Sequence, residues 1–104
     1  MSTRVCALSD VPEEGAIRVD LSAGPVCIAR SGGDVFALRD VCSHADVPLS
    51  EGEVEDGKIE CWLHGSLFDL RTGEPDGLPA TRPVPTYPVT IEGDDVLVDL
   101  EPSA

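Results

Sequence analysis

The chain has 104 residues, a length that suits one domain and is too short for two independent hydrophobic cores. Because 41% of the residues are hydrophobic and only 4% are aromatic, we expect a folded protein whose core consists mainly of Val, Leu and Ile. The net charge of −13 disfavours nucleic acid and anionic lipid as partners; it either steers the protein to a basic surface on a protein partner or only keeps it soluble.

Short runs of alternating polar and apolar residues begin the chain and predict β-strands. Residues 5–7 and 17–21 alternate in this way, and residues 25–29 form a short apolar run. The tetrapeptide at 31–34, Ser-Gly-Gly-Asp, predicts a tight hairpin turn that leads into a strand over 35–38.

The second half of the chain continues this pattern. Four prolines in the stretch 79–88 predict a stiff, extended surface segment. Residues 87–91 and 96–100 are predicted to be strands joined by a turn at 92–95. The 9 prolines and 10 glycines argue against long helices, so the chain is predicted to be all-β: a small antiparallel sandwich or barrel forming one domain over residues 1–104.

Charged residues interrupt every apolar segment in the first thirty residues, so no secretory signal is recognisable, and no run is long enough to cross a bilayer. We therefore expect a soluble, cytoplasmic protein. Thiols stay reduced in the cytoplasm, so the four cysteines are predicted to be metal ligands or buried thiols rather than disulfides. Cys6 and Cys27 lie in apolar strands and are interpreted as buried small hydrophobic residues.

The central segment contains both histidines of the chain, each beside a cysteine at the spacing of metal ligands. Cys42 and His44 are followed, after sixteen residues, by Cys61 and His64. Turn-forming residues at 51–53 and 55–57 can return the chain, so a hairpin-like excursion would bring the two pairs together.

Two sulfur and two nitrogen donors suit either zinc or an iron–sulfur centre. Zinc fingers usually pair Cys with Cys and place the His pair on a helix, whereas each pair here mixes Cys with His and no helix is predicted. A Rieske centre, in which two Cys hold one iron and two His the other, fits the mixed pairs better. Zinc and a metal-free structural role remain as alternatives.

The pattern C-x-H, sixteen residues, C-x-x-H resembles the signature of Rieske iron–sulfur proteins. The resemblance covers nearly the whole chain and is closest to the ferredoxin subunit of bacterial ring-hydroxylating dioxygenase systems. It is carried, beyond the ligands, by residues 5–15, 61–74, 77–80 and 85–89.

This resemblance implies the Rieske fold with two cluster-binding loops and one [2Fe–2S] cluster. The implied cofactor and metal ligands are Cys42, His44, Cys61 and His64. The implied function is to carry single electrons from a flavin-dependent reductase to a terminal non-haem iron oxygenase. The chain has no G-x-G-x-x-G motif and no further ligand set for a mononuclear iron, so we expect an electron-transfer component with no catalytic residues of its own.

Two features place the chain nearer the ferredoxin branch than the respiratory branch of the family. Neither loop has the extra cysteine that forms a disulfide in respiratory Rieske proteins, and no membrane anchor is recognisable. High-potential relatives have a Ser and a Tyr whose hydroxyls bond cluster sulfurs; Ser66 matches the Ser, but Phe68 stands in place of the Tyr. The reduction potential is therefore expected near the low end of the Rieske range of about −150 to +300 mV.

Three other functions remain compatible with the sequence. A Rieske protein of this size also resembles chains that serve Fe–S assembly or redox sensing. A non-catalytic subunit like the Rieske-fold partner of nitrite reductase is disfavoured, because that relative commonly lacks the ligands and all four are present here. A zinc-stabilised interaction module is the remaining alternative.

Overall fold

The computed structural model describes residues 2–21, 24–41, 48–61, 67–76 and 83–99. These residues form short strands and two 3-10 turns, Leu8–Asp10 and Leu49–Glu51, with no α-helix among them. No helix in this part of the chain is long and apolar enough to span a membrane. The strands are β1 (Ser2–Ala7), β2 (Gly15–Leu21), β3 (Gly24–Ser31), β4 (Asp34–Arg39), β5 (Val54–Glu55), β6 (Lys58–Glu60), β7 (Leu67–Asp69), β8 (Pro75–Asp76), β9 (Thr86–Tyr87), β10 (Val89–Glu92) and β11 (Asp95–Asp99).

The strands make three antiparallel sheets. The terminal sheet has the order β1-β11-β10, the central sheet β2-β3-β4-β9 and the hairpin sheet β5-β6-β7-β8. The prediction of an all-β, antiparallel fold is confirmed. The four strands of the hairpin sheet are only two or three residues long, and for β5 and β6 the sequence predicted turns but no strands, because so short a segment shows no usable alternation.

Strand β3 of the central sheet is buried on both faces. Along β3, Cys27 and Ala29 pack in one hydrophobic cluster, with residues of the hairpin sheet, while Val26 and Ile28 pack in another, with residues of the terminal sheet. All four are at most 1% exposed. A strand buried on both sides must be apolar at every position, which explains the unbroken apolar run at 25–29.

Two predicted turns form tight hairpins. Ser31 pairs with Asp34 across Gly32 and Gly33, whose φ angles are 59° and 86°. Positive φ at both central residues gives the type I′ turn, and its twist suits neighbouring antiparallel strands. Asp56 and Gly57 join β5 to β6 in the same way, with φ angles of 51° and 77°.

A hydrogen-bond network around Ser31 joins three turns at one end of the fold. Its hydroxyl donates to the Glu14 carboxylate at 3.0 Å and accepts from the backbone N–H of Gly57 at 2.8 Å. The backbone N–H of Gly32 also donates to Glu14, at 2.7 Å. These bonds, that of Gly32 above all, lower the pKa of Glu14, so its carboxylate stabilises the fold above its unfolded-state pKa. This contribution is lost as the pH falls through the lower pKa of the folded state.

We expect Ser31→Ala to lower the free energy of unfolding by about 1–3 kcal/mol, because the partly buried N–H of Gly57 would lose its acceptor. The check is the melting temperature of the metal-loaded protein, together with hydrogen exchange of the Gly57 amide, which should become faster. Ser9→Ala, at an exposed position, is the control and should change neither. An unchanged Gly57 exchange rate would show that the network contributes nothing to closing these turns.

Candidate metal centre

Cys61 is the one predicted ligand among the described residues. It directly follows β6, its thiol is free, and it is fully buried. It lies in the same hydrophobic cluster as Ile59 and Phe68, both also fully buried. Cys42, His44 and His64 lie outside the described residues, as does Ser66. Consequently, no group of three or more potential metal ligands occurs within the described ranges.

The hairpin sheet brings the described residues on either side of the segment 62–66, and the residue before the segment 77–82, side by side. Glu60 pairs with Leu67, so residues 61–66 connect β6 to β7. Leu67 in turn pairs with Asp76, after which the segment 77–82 begins. Because Glu60, Leu67 and Asp76 are at the same level of the sheet, the described chain reaches Cys61 and the start of the segment 77–82 at the same end of the sheet.

The chain that follows residues 42–47 approaches the same end of the hairpin sheet through a close backbone contact. Gly52 lies against the carbonyl group of Glu60, and a Cβ atom at Gly52 would overlap the Glu60 oxygen. The N–H of Glu60 donates to the carbonyl oxygen of Glu53 at 2.8 Å. The chain that follows the Cys42–His44 loop is therefore fixed directly beside the residue before Cys61.

The chain before residues 42–47 and the chain after residues 77–82 meet at the end of β4. The N–H of Arg39 donates to the carbonyl oxygen of Pro85 at 2.9 Å. This bond places Pro85, which follows the segment 77–82, beside the last residue of β4. Val84 is 3% exposed and belongs to the same hydrophobic cluster as Cys61. The described flanks of all three loops thus converge on one end of the molecule.

A buried carboxylate that sequence reasoning did not single out, that of Asp40, joins the described chain on the two sides of residues 42–47. Asp40 is 1% exposed and accepts hydrogen bonds from the N–H of Ser50 at 2.7 Å and from its hydroxyl at 2.6 Å. Arg18 lies 3.9 Å from the same carboxylate. Nothing in the sequence distinguishes Asp40 from the other 19 acidic residues except its position two residues before Cys42.

The two other described cysteines are not part of this site. Burial raises the pKa of the Cys27 thiol far above its ordinary value, and burial also raises that of Cys6. Their exposed fractions are 0% and 7%, so the interpretation as small buried hydrophobic residues is confirmed. A thiol held neutral in this way is a poor ligand and a poor nucleophile.

The described residues fit an iron–sulfur cluster. A free, buried thiol at the tip of a strand provides a soft sulfur donor shielded from water. The chain that follows residues 42–47 is fixed beside Glu60, directly before Cys61, so the described flanks of the two Cys-His segments of the sequence are adjacent. The hydrophobic cluster behind Cys61 provides the low-dielectric side of such a site.

Comparison with known proteins defines the class. The model of the Rieske [2Fe-2S] domain matches residues 1–88. The ferredoxin component of biphenyl 2,3-dioxygenase from Rhodococcus jostii (strain RHA1) is 46% identical over 99 residues, which cover 95% of this chain and 92% of that protein. The 3-phenylpropionate/cinnamic acid dioxygenase ferredoxin subunit of Escherichia coli (strain K12) is 45% identical over 96 residues, covering 91% and 90%.

The three-dimensional comparison agrees. A solved structure, the complex of reduced oxygenase and oxidized ferredoxin in carbazole 1,9a-dioxygenase, contains a chain that superposes with a TM-score of 0.92 at 33% identity. The match covers 99% of this chain and 96% of the other. The protein belongs to the Rieske [2Fe–2S] family. It is an electron carrier of the ferredoxin type, not itself an enzyme, and its cofactor is one [2Fe–2S] cluster.

We expect Gly52→Ala to cost about 1–3 kcal/mol of stability, because the added methyl group would push the first loop away from Glu60. Iron retained after purification should fall, and cluster loss to a chelator should become faster. Glu51→Ala, one residue earlier and exposed, is the matched control and should behave as the wild type. Full retention of iron in Gly52→Ala would contradict the importance of this contact.

Proposed function

We propose that this protein is the ferredoxin component of a multicomponent ring-hydroxylating dioxygenase system. In this role it takes single electrons from a flavin-dependent reductase and delivers them to a terminal non-haem iron oxygenase. The observation that carries the proposal is the near full-length similarity, at 45–46% identity, to two dioxygenase ferredoxins. The structural similarity to a ferredoxin solved in complex with its oxygenase supports the same partner.

The proposed cluster ligands are Cys42 and Cys61 for one iron and His44 and His64 for the other. Support comes from the spacing of the two pairs and from the adjacency of Gly52 and Glu60, which brings the return of one loop to the start of the other. We also propose that residues 1–104 form one domain. In support, β11 (Asp95–Asp99) pairs with β1 (Ser2–Ala7), so the two ends of the described chain share a sheet.

When bound, the cluster supplies reversible one-electron transfer. The protein's part is to hold it in a fixed geometry and to set its surroundings. Cys61 is fully buried, so water is kept from that side of the site. Phe68 is also fully buried in the same hydrophobic cluster and contributes no hydroxyl, which supports a potential near the low end of the Rieske range.

The charge of the chain supports a protein partner with a basic docking surface. The net charge of −13 favours fast, electrostatically steered encounters with such a surface and opposes binding to nucleic acid or anionic membranes. We propose a soluble, cytoplasmic location, in keeping with free rather than paired thiols at the three described cysteines.

Stopped-flow mixing tests this function. The reduced holoprotein should reduce the oxidised terminal oxygenase of a biphenyl dioxygenase system with one electron per carrier. The rate should fall as the salt concentration rises from about 0.05 to 0.5 M, because screening weakens the steering of an acidic carrier. Failure of electron transfer, together with delivery of the intact cluster to an apo-protein, would instead identify an assembly factor.

We expect Cys61→Ala to abolish binding of the cluster, since one iron would lose a thiolate ligand. Cys27→Ala is the matched control: this cysteine is equally buried but assigned to the core, and its variant should retain the cluster. Iron and acid-labile sulfide contents and the EPR spectrum of the reduced protein distinguish the two. Zinc without iron or sulfide in the wild-type protein would contradict the iron–sulfur assignment altogether.

Phe68→Tyr should raise the reduction potential if its new hydroxyl donates a hydrogen bond towards the cluster or a ligand sulfur. A redox titration followed by visible absorption measures the shift. Phe36→Tyr, a partly buried phenylalanine on β4, is the control for adding a hydroxyl elsewhere. An unchanged potential in a folded Phe68→Tyr protein would show that position 68 points away from the cluster, and a wild-type value near +300 mV would refute the low-potential assignment.

A further inference from the structure

Asp40 is the only acidic residue that is buried in the described part of the chain. An isolated carboxylate pays a large desolvation cost in such a place, so a buried one needs partners. Ser50 provides two of them, its N–H at 2.7 Å and its hydroxyl at 2.6 Å. Hydrogen bonds to an ionised acceptor at these distances are of the strong, charge-assisted kind.

The positions of these two residues in the chain tie the interaction to the cluster. Asp40 is two residues before Cys42, so their Cα atoms are separated by no more than about 7 Å. Ser50 is in the 3-10 turn Leu49–Glu51, on the return side of the same loop. The Asp40–Ser50 pair therefore joins the entry of the first ligand loop to its exit.

Within the described ranges, the charge of Asp40 is only partly balanced. Arg18 lies 3.9 Å from the Oδ2 atom of Asp40, beyond hydrogen-bond distance, and its Nε atom donates instead to Asp20 at 3.0 Å. The Arg18 side chain is 43% exposed, so water screens its charge, whereas the Asp40 side chain is fully buried. The Asp40 carboxylate therefore lies in a region of low dielectric constant, two residues before the proposed ligand Cys42.

We propose that Asp40 is a positioning residue with a second, electrostatic role: through Ser50 it ties the chain before residues 42–47 to the chain after them, and its negative charge lowers the reduction potential of the cluster. The inference rests on the proposed ligand set. Reduction adds one electron to the site, and a nearby buried negative charge makes this addition less favourable. Arg18 opposes the effect, since its positive charge favours the same electron.

Three variants of the holoprotein separate the two roles. Asp40→Asn removes the charge but keeps an oxygen acceptor for the Ser50 N–H and an amide donor for its hydroxyl, so the potential should shift upwards. Arg18→Gln removes the opposing charge, so the potential should shift downwards. Ser50→Ala keeps the Asp40 charge but loses one hydrogen bond; its potential should change least, while cluster loss to a chelator should become about tenfold faster. Glu53→Gln, an exposed neighbour, is the control for loss of a surface charge.

Opposite shifts in Asp40→Asn and Arg18→Gln, measured by redox titration at constant pH, are the expected result. An unchanged or lower potential in Asp40→Asn with an intact EPR spectrum would overturn the electrostatic role, as would shifts of the same sign in both variants. Should Asp40→Asn fail to fold, a potential unchanged in Arg18→Gln would overturn it equally. Wild-type chelator stability in Ser50→Ala would overturn the positioning role. None of these measurements uses an oxygenase, so failure of the partner assignment is seen separately.

Discussion

The contact between Gly52 and the carbonyl group of Glu60 is the constraint that brings together the two parts of the chain that flank the proposed metal centre. It fixes the return of the first loop against the last residue before Cys61, and only a residue without a side chain can occupy the position. The backbone bond from Glu60 to Glu53 secures the same approach. Because the two proposed ligand pairs belong to separate segments of the chain, this contact holds the described flanks of those segments together.

The two ends of the short β6 strand make different kinds of contact. At its beginning, Gly57 enters the network of Ser31 and Glu14, which ties three turns together. At its end, Cys61 enters the hydrophobic cluster that backs the metal centre. Polar bonding at one end and a buried thiol at the other allow a strand of three residues to be held firmly in register with β7.

The acidic residues differ in the same way, since all but one of those described are exposed or partly exposed. Asp40 alone among the described acidic residues is buried, at the entry of the first loop and with two hydrogen bonds from Ser50. The electrostatic role proposed for Asp40 follows from this placement, because a buried negative charge makes the addition of an electron to a nearby site less favourable.

Sequence reasoning determined the class of fold, the ligand candidates and several turns of this protein. Alternation and an apolar run predicted β2 and β3, and the Ser-Gly-Gly-Asp turn was recognisable because few residues accept positive φ. The two Cys-His pairs were recognisable because metal ligands must be of particular residue types at short spacing. Only the tertiary structure decided that the flanks of three loops converge, that β5 and β6 are strands, and that Asp40 is the buried acid. These depend on contacts such as Gly52 with Glu60 and Asp40 with Ser50, between residues 8 and 10 positions apart, which have no local pattern to announce them.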